Sequence, residues 1–307
     1  MIRFNPRFSH QYWLRLLMFT IFVSLVASLG LLIYFIHLQV SAFVTPNRQP
    51  ISKSPAANNL PYEEVTFTTA DGLKIAGWYI PGSRPAAIIV VHGLSANRSA
   101  TLPEATILAE AGFHVLQIDL RGNGQSEASP NTYGYYEALD VQAAADFLEK
   151  RPDVEHIGAV GSSLGGAVVA RAAALDPRIE AIVISSSFSS LPEAVEDAFD
   201  DMSIFPSWPF APLLVSLAER RVGLEISRVN SARYLASIQP RAVLLIHGAE
   251  DDLFPVRHAR RMYEAAGEPK ELWVIQGFGH GNPAEAFSAE YRARVVDFFD
   301  RAFTVEQ

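Results

Sequence analysis

Ser163 is the residue of this sequence best suited to act as a nucleophile. It stands in Gly161-Ser162-Ser163-Leu164-Gly165, followed by Gly166, between an apolar run and an Ala-rich stretch. A serine on a sharp strand-to-helix turn projects its hydroxyl from the sheet, and small residues two positions away on each side avoid collision. The N-terminus of the following helix would turn its partial positive charge toward an oxyanion. Glycine and serine are common enough that such a string arises by chance in roughly one chain of this length in ten. Read alone it is a glycine-rich packing turn, so the weight falls on its partners.

Two partners follow in chain order. His247-Gly248-Ala249-Glu250-Asp251-Asp252-Leu253-Phe254-Pro255 comes directly after the apolar run Ala242 to Ile246. Its acids therefore emerge at a strand's C-terminal end, where ligands bind in open α/β sheets. Asp251 is the choice for an acid that orients an imidazole and stabilises its charged form, with Asp252 as the adjacent rival and Glu250 behind both. His280 lies in Gly277-Phe278-Gly279-His280-Gly281-Asn282-Pro283 after the last apolar run. A neutral imidazole there can take the serine proton and return it to a leaving group. His92-Gly93-Leu94 ends another apolar run, and the backbone N–H groups of Leu94 and Leu164 could together form an oxyanion hole. The ring of His92 reads as structural and that of His247 as packing beside the acid loop. His10, His37, His114, His156 and His258 stand in no chemical context, and no spacing of His and acids matches a metalloenzyme motif.

The elements that must position these residues alternate in type. Glu64 to Thr68 and Leu73 to Ile80 flank Asp71-Gly72, which predicts a β-hairpin. Short β-branched runs follow at Ala86 to Val91, His114 to Ile118, Ile157 to Val160, Ile179 to Ile184, Ala242 to Ile246 and Leu272 to Ile275. Helical stretches separate them, near Pro103 to Ala111, Tyr135 to Lys150, Leu164 to Leu175 and Val256 to Ala266, with a last helix ending near Phe303. That order predicts an α/β fold: a mostly parallel sheet with helices on both faces and an antiparallel edge. Ser187 to Pro240 breaks the rhythm with helices and Pro-aromatic segments but no strand, as a cap over a binding site would. Within it, Ile204 to Leu214 is an apolar, aromatic run that either lines an acyl pocket or packs the cap onto the body.

Composition narrows the class further. Of 307 residues, 49% are hydrophobic and 19% charged, which excludes disorder and leaves a globular body of residues 62–307 with a membrane segment. Leu16 to Leu38 contains no Asp, Glu, Lys or Arg and at about 1.5 Å per residue can cross a hydrocarbon core. It exceeds the apolar region of about 7–15 residues typical of a cleaved signal, so residues 16–38 read as a retained transmembrane helix; cleavage after Val40-Ser41-Ala42 is the alternative. Arg3, Arg7 and Arg15 in the basic tail, residues 1–15, outnumber Arg48 and Lys53 beyond the span. The tail is then cytoplasmic and the body extracytoplasmic in a single-pass membrane protein. Residues 39–61, with Pro, Asn and Ser from Thr45 to Pro61, form a flexible linker. All 33 acidic residues but only 20 of 25 Lys and Arg follow position 55, so the body carries −13, which argues against nucleic acid as a partner. The absence of cysteine removes disulfides, thiolate metal sites and a cysteine nucleophile.

Taken together, VVHGLS, DLRGNGQS (Asp119 to Ser126), GSSLGG, HGAEDDLFP and GFGHGN resemble the α/β-hydrolase superfamily over almost everything from Tyr62 to Phe303. The resemblance implies a Ser163-His280-Asp251 triad, an acyl-enzyme intermediate, no cofactor, and a cap inserted after the sixth strand. It also implies that Asp119 and Arg121 hold a turn. Serine at the nucleophile position disfavours the dehalogenase branch, and Ser162 stands where many lipases have His and prolyl-peptidase relatives often have Tyr. The expectation is a membrane-anchored serine hydrolase cleaving carboxylic esters, with a small-molecule or lipid-like acyl substrate. A peptidase, amidase or acyltransferase on the same triad, or a non-catalytic binding protein of this fold, are the alternatives.

Overall fold

In a computed structural model the described residues are 10–202 and 207–304. Eight strands form one sheet: β1 (Glu63–Thr68), β2 (Lys74–Ile80), β3 (Ala86–Val91), β4 (His114–Ile118), β5 (His156–Ser162), β6 (Ile179–Ser185), β7 (Ala242–Gly248) and β8 (Lys270–Ile275). Their spatial order is β1-β2-β4-β3-β5-β6-β7-β8. The first two pairings, β1 with β2 and β2 with β4, are antiparallel, and every later one is parallel. The hairpin turns at Gly72, whose φ of 90° suits glycine, and Thr69 Oγ1 donates to Asp71 at 2.6 Å.

The helices are α1 (His10–Val44), α2 (Leu102–Glu110), α3 (Ala138–Leu148), α4 (Leu164–Leu175) and α5 (Leu191–Met202). They continue with α6 (Ser207–Val222), α7 (Ser231–Ser237), α8 (Arg257–Ala265), α9 (Pro283–Ala286) and α10 (Ser288–Thr304). Every residue of β3 is buried, because successive side chains serve opposite faces and both faces are covered. Ala87, Ile89 and Val91 pack with α3 and α4, while Ile88 and Val90 pack with α2 and α10. The cap between β6 and β7 supplies α5, α6 and α7. Part of the apolar run expected at Ile204 to Leu214, residues 204–206, lies outside the described residues. In the rest, Ala211 is buried and Leu214 packs against α1, but Trp208 and Leu213 are exposed.

Three boundaries differ from expectation. The N-terminal helix contains the span 16–38 and runs past it at both described ends, to His10 and Val44. α3 starts at Ala138, later than Tyr135, because the buried Glu137 carboxylate draws in the amides of Thr132 and Gly134 and holds a turn there. Thr45 to Pro61 is no free linker. Asn97 Nδ2 donates to the carbonyls of Gln49 and Pro50 at 3.0 and 3.1 Å, and Ser99 Oγ donates to Lys53 at 2.8 Å. Four of its 17 residues are proline, which interrupts any ladder of its own, and body side chains satisfy carbonyls at Gln49, Pro50 and Lys53.

Candidate active site

Ser163 sits between the last residue of β5 and the first of α4, with φ 54° and ψ −121°. A non-glycine residue there is strained by about 1–3 kcal/mol and persists only where its surroundings impose it. Here they do. A Cβ on Gly161 would lie 2.2 Å from the Gly165 carbonyl oxygen, and one on Gly165 would lie 2.4 Å from that of Val91. Only hydrogen fits at either position, so the strand and helix close onto β3. The Ser163 amide donates to Ser185 O at 2.8 Å, extending the β5–β6 ladder by one residue and fixing the turn against the neighbouring strand. Its side chain is half-buried at the C-terminal edge of the sheet.

The acid loop after β7 and the histidine loop after β8 meet each other at the same C-terminal edge, since β5 to β8 run parallel. Asp251 Oδ2 accepts a hydrogen bond from His280 Nδ1 at 2.9 Å, and Asp251 Oδ1 accepts one from the Phe254 amide at 2.8 Å. With Nδ1 protonated, Nε2 is the basic nitrogen of the ring. The Asp251 side chain is fully buried, whereas Asp252 is exposed. Glu250 donates its amide to Phe278 O at 3.0 Å, tying the two loops, and Ser186 Oγ reaches Gly281 O at 3.5 Å, tying the histidine loop to the end of β6. The Phe254 ring meets His280 edge-on at 5.4 Å, leaving the imidazole 28% exposed.

His247 proves more closely involved than its sequence context showed. Its Nε2 donates to Phe254 O at 2.7 Å and lies 3.4 Å from Asp251 Oδ2. Burial holds its pKa below the ordinary value, so the ring is a neutral support for the acid loop. The signal was present in the i, i+4 spacing of His247 and Asp251, but only the fold turns both inward.

The loop that carries Leu94 and the start of α4 that carries Leu164 border the serine. A Cβ on Gly93 would lie 3.2 Å from Ser163 Cβ, so the loop after β3 passes directly over the nucleophile turn. Among the described residues neither the Leu94 nor the Leu164 amide donates a hydrogen bond. For Leu164 this follows from its position at the start of α4, where helical amides have no partner. His92 anchors the loop: its Nδ1 donates to Gly93 O at 2.7 Å and its Nε2 accepts from the Leu120 amide at 3.0 Å. Burial lowers its pKa, in keeping with a structural ring.

Asp119 and Arg121 hold the β4 loop as expected of them. Asp119, fully buried, accepts from the Arg98 amide and guanidinium at 2.8 and 3.0 Å and from the Gln125 amide at 2.8 Å. Arg121 bridges Asp71 and Asp140. His258, expected to lack context, stands at the base of the cap: Nε2 pairs with Asp197 of α5 at 2.7 Å, and Nδ1 accepts from the Ser189 amide at 3.2 Å.

A mixed sheet of this order, a strained serine turn after β5, and an Asp–His pair on the loops after β7 and β8 define the α/β hydrolases. The family model described as the alpha/beta hydrolase fold matches residues 86–210. The chain is 34% identical over 270 residues to the uncharacterized protein Rv2307c of Mycobacterium tuberculosis, with 85% of this chain and 86% of that one covered. It is 31% identical over 250 residues to the uncharacterized protein YfhR of Escherichia coli, covering 77% and 80%. Among solved structures, the esterase Pf2001 of Pyrococcus furiosus superposes with a TM-score of 0.71 at 28% identity, covering 84% of this chain and 99% of that one. The chain belongs to the α/β-hydrolase family, and its esterase neighbour supports a hydrolase.

Proposed function

We propose that this protein is a membrane-anchored serine hydrolase that cleaves carboxylic esters. His280 Nε2 takes the Ser163 proton as Oγ bonds to the ester carbonyl carbon. The tetrahedral oxyanion is met by the amides of Leu94 and Leu164 and by the N-terminus of α4. Collapse breaks the bond to the alkoxy oxygen, which leaves as an alcohol carrying the proton from His280. Water, deprotonated by the same imidazole, then releases the acyl group as a carboxylic acid and restores Ser163. Asp251 keeps the Nδ1–H tautomer and stabilises the imidazolium.

The observation that carries this reading is the buried Asp251 paired with His280 at the sheet edge that also holds the strained Ser163 turn. The esterase Pf2001 supports ester over amide. For the anchor, support comes from the apolar helix Gln11–Val44, whose most apolar window is unburied by the body. The body is extracytoplasmic by the basic flanks, and a reporter fused after Gln307 tests that side. A matched panel of esters and amides, run with the wild type and Ser163→Ala, tests the reaction. Ester turnover is expected to fall at least about 10⁴-fold in the variant; faster cleavage of amides than of the matched esters would contradict ester specificity.

A further inference from the structure

The N-terminal helix and the cap are joined rather than separate. Ile36, Val40, Phe43 and Val44 of α1 pack with Leu214, Leu217, Ala218 and Val222 of α6, and Val40, Val44 and Ala218 are each no more than 5% exposed. Both sets repeat at helical one-face spacing over about two turns, so the helices lie side by side. Their last turns, at Phe43, Val44, Ala218 and Val222, border the same small cavity. The end of α1 is also fixed to the body: the Asn131 amide donates to Val44 O at 2.8 Å, Tyr133 Oη donates to Phe43 O at 2.7 Å, and the Phe43 and Tyr133 rings stack at 4.4 Å. No slack segment separates the apolar helix from the hydrolase body.

Following both helices back from that cavity leads away from the body along the apolar length of α1, where Leu38, Tyr34 and Ile33 are exposed. On α6 the same direction leads to Leu213, 43% exposed, and to Trp208 at the non-helical opening of the helix, 78% exposed. Arg220 and Arg221, both exposed, lie at the opposite end. A tryptophan and a leucine left bare beside an apolar helix, with arginines about two to three turns behind them, match the layering of a membrane interface. The cap also connects to the site. α5 packs on α6 and starts just after Phe188, whose ring meets Phe254 at 5.3 Å, and Phe254 meets His280.

We propose that α6 is a membrane-docking element: Trp208 and Leu213 enter the interfacial layer of the bilayer that α1 crosses, and Arg220 and Arg221 face lipid phosphates. The cap then lies between bilayer and active site, and the substrate is a long-chain acyl ester resident in the membrane. The docking rests on the reading of α1 as a membrane span, and the substrate class on the esterase reading.

The chain has no cysteine, so a single introduced cysteine can carry an environment-sensitive fluorophore. Full-length Trp208→Cys is labelled and reconstituted in phosphatidylcholine vesicles containing phosphatidylglycerol. Lys150→Cys, before β5 at the opposite end of the sheet from the cap, is the control. Expected is a blue-shifted emission at position 208 that nitroxide-labelled lipids quench at shallow depth, with neither effect at position 150. Water-like emission at 208 overturns the proposal, as does a blue shift without lipid quenching, which would mean that a second copy or another protein covers the site. In a second arm, Trp208→Glu and Leu213→Glu are expected to slow hydrolysis of a long-chain ester in vesicles at least about tenfold while leaving soluble acetate ester hydrolysis unchanged. Equal effects on both substrates overturn the substrate class. A wild type inactive on all esters refutes the esterase reading and leaves the quenching result to decide docking.

Discussion

His280 donates from Nδ1 to Oδ2 of Asp251 at 2.9 Å, while the next residue, Asp252, faces solvent. Asp251→Asn is therefore expected to lower kcat about 10³–10⁴-fold, since an amide in that place no longer fixes the tautomer or balances the imidazolium. Asp252→Asn is expected to leave kcat within about twofold. Steady-state kinetics on a soluble ester distinguishes them, and a larger loss in the Asp252 variant would reverse the assignment.

The turn that presents Ser163 depends on the missing side chain at Gly161. A methyl group there meets the backbone carbonyl of Gly165, which belongs to α4 and cannot swing aside. Gly161→Ala is expected to cost about 2–3 kcal/mol in urea unfolding and to reduce activity. An unchanged unfolding midpoint with full activity would show that the turn is looser than described.

Glu104 offers a pH test away from the reaction. It is buried on α2 beside Asn282 and Tyr291, and burial pushes its carboxyl up to about 7, with a hydrogen bond from Asn282 opposing. Below its ordinary value of 4.5 both folded and unfolded chains carry the proton, and the group contributes nothing. Between 4.5 and about 7 the unfolded chain loses the proton first, so stability falls as pH rises and levels off above 7. Glu104→Gln removes this term. Its unfolding free energy relative to wild type is expected to improve by about 3 kcal/mol from pH 4 to pH 8. A difference independent of pH would contradict the description.

Much of this was legible in the sequence, for identifiable reasons. A strand buried on both faces favours an apolar run, so Ala86 to Val91 matches β3 residue for residue; His114 to Ile118 matches β4 likewise, with its two polar residues buried on hydrogen bonds to Tyr79, Arg98 and Thr101. The serine turn was legible because Gly161 and Gly165 are steric requirements of its geometry. Choosing between Asp251 and Asp252 was harder, because adjacent residues of one type differ only in the direction the loop gives them. The docking of Thr45 to Pro61 rests on donors from Asn97 and Ser99, some fifty residues distant in the chain, which local composition does not reveal. The environment of His258 and the pairing of α1 with α6 likewise arise from tertiary contacts between segments whose own patterns are unremarkable.

The central claim, that Ser163 is an activated nucleophile, is tested most directly by covalent labelling with a fluorophosphonate probe followed by mass spectrometry of the full-length protein. Labelling of the wild type at Ser163, and its loss in Ser163→Ala, is the expected result. Equal labelling of both proteins, or attachment at another serine, would contradict it.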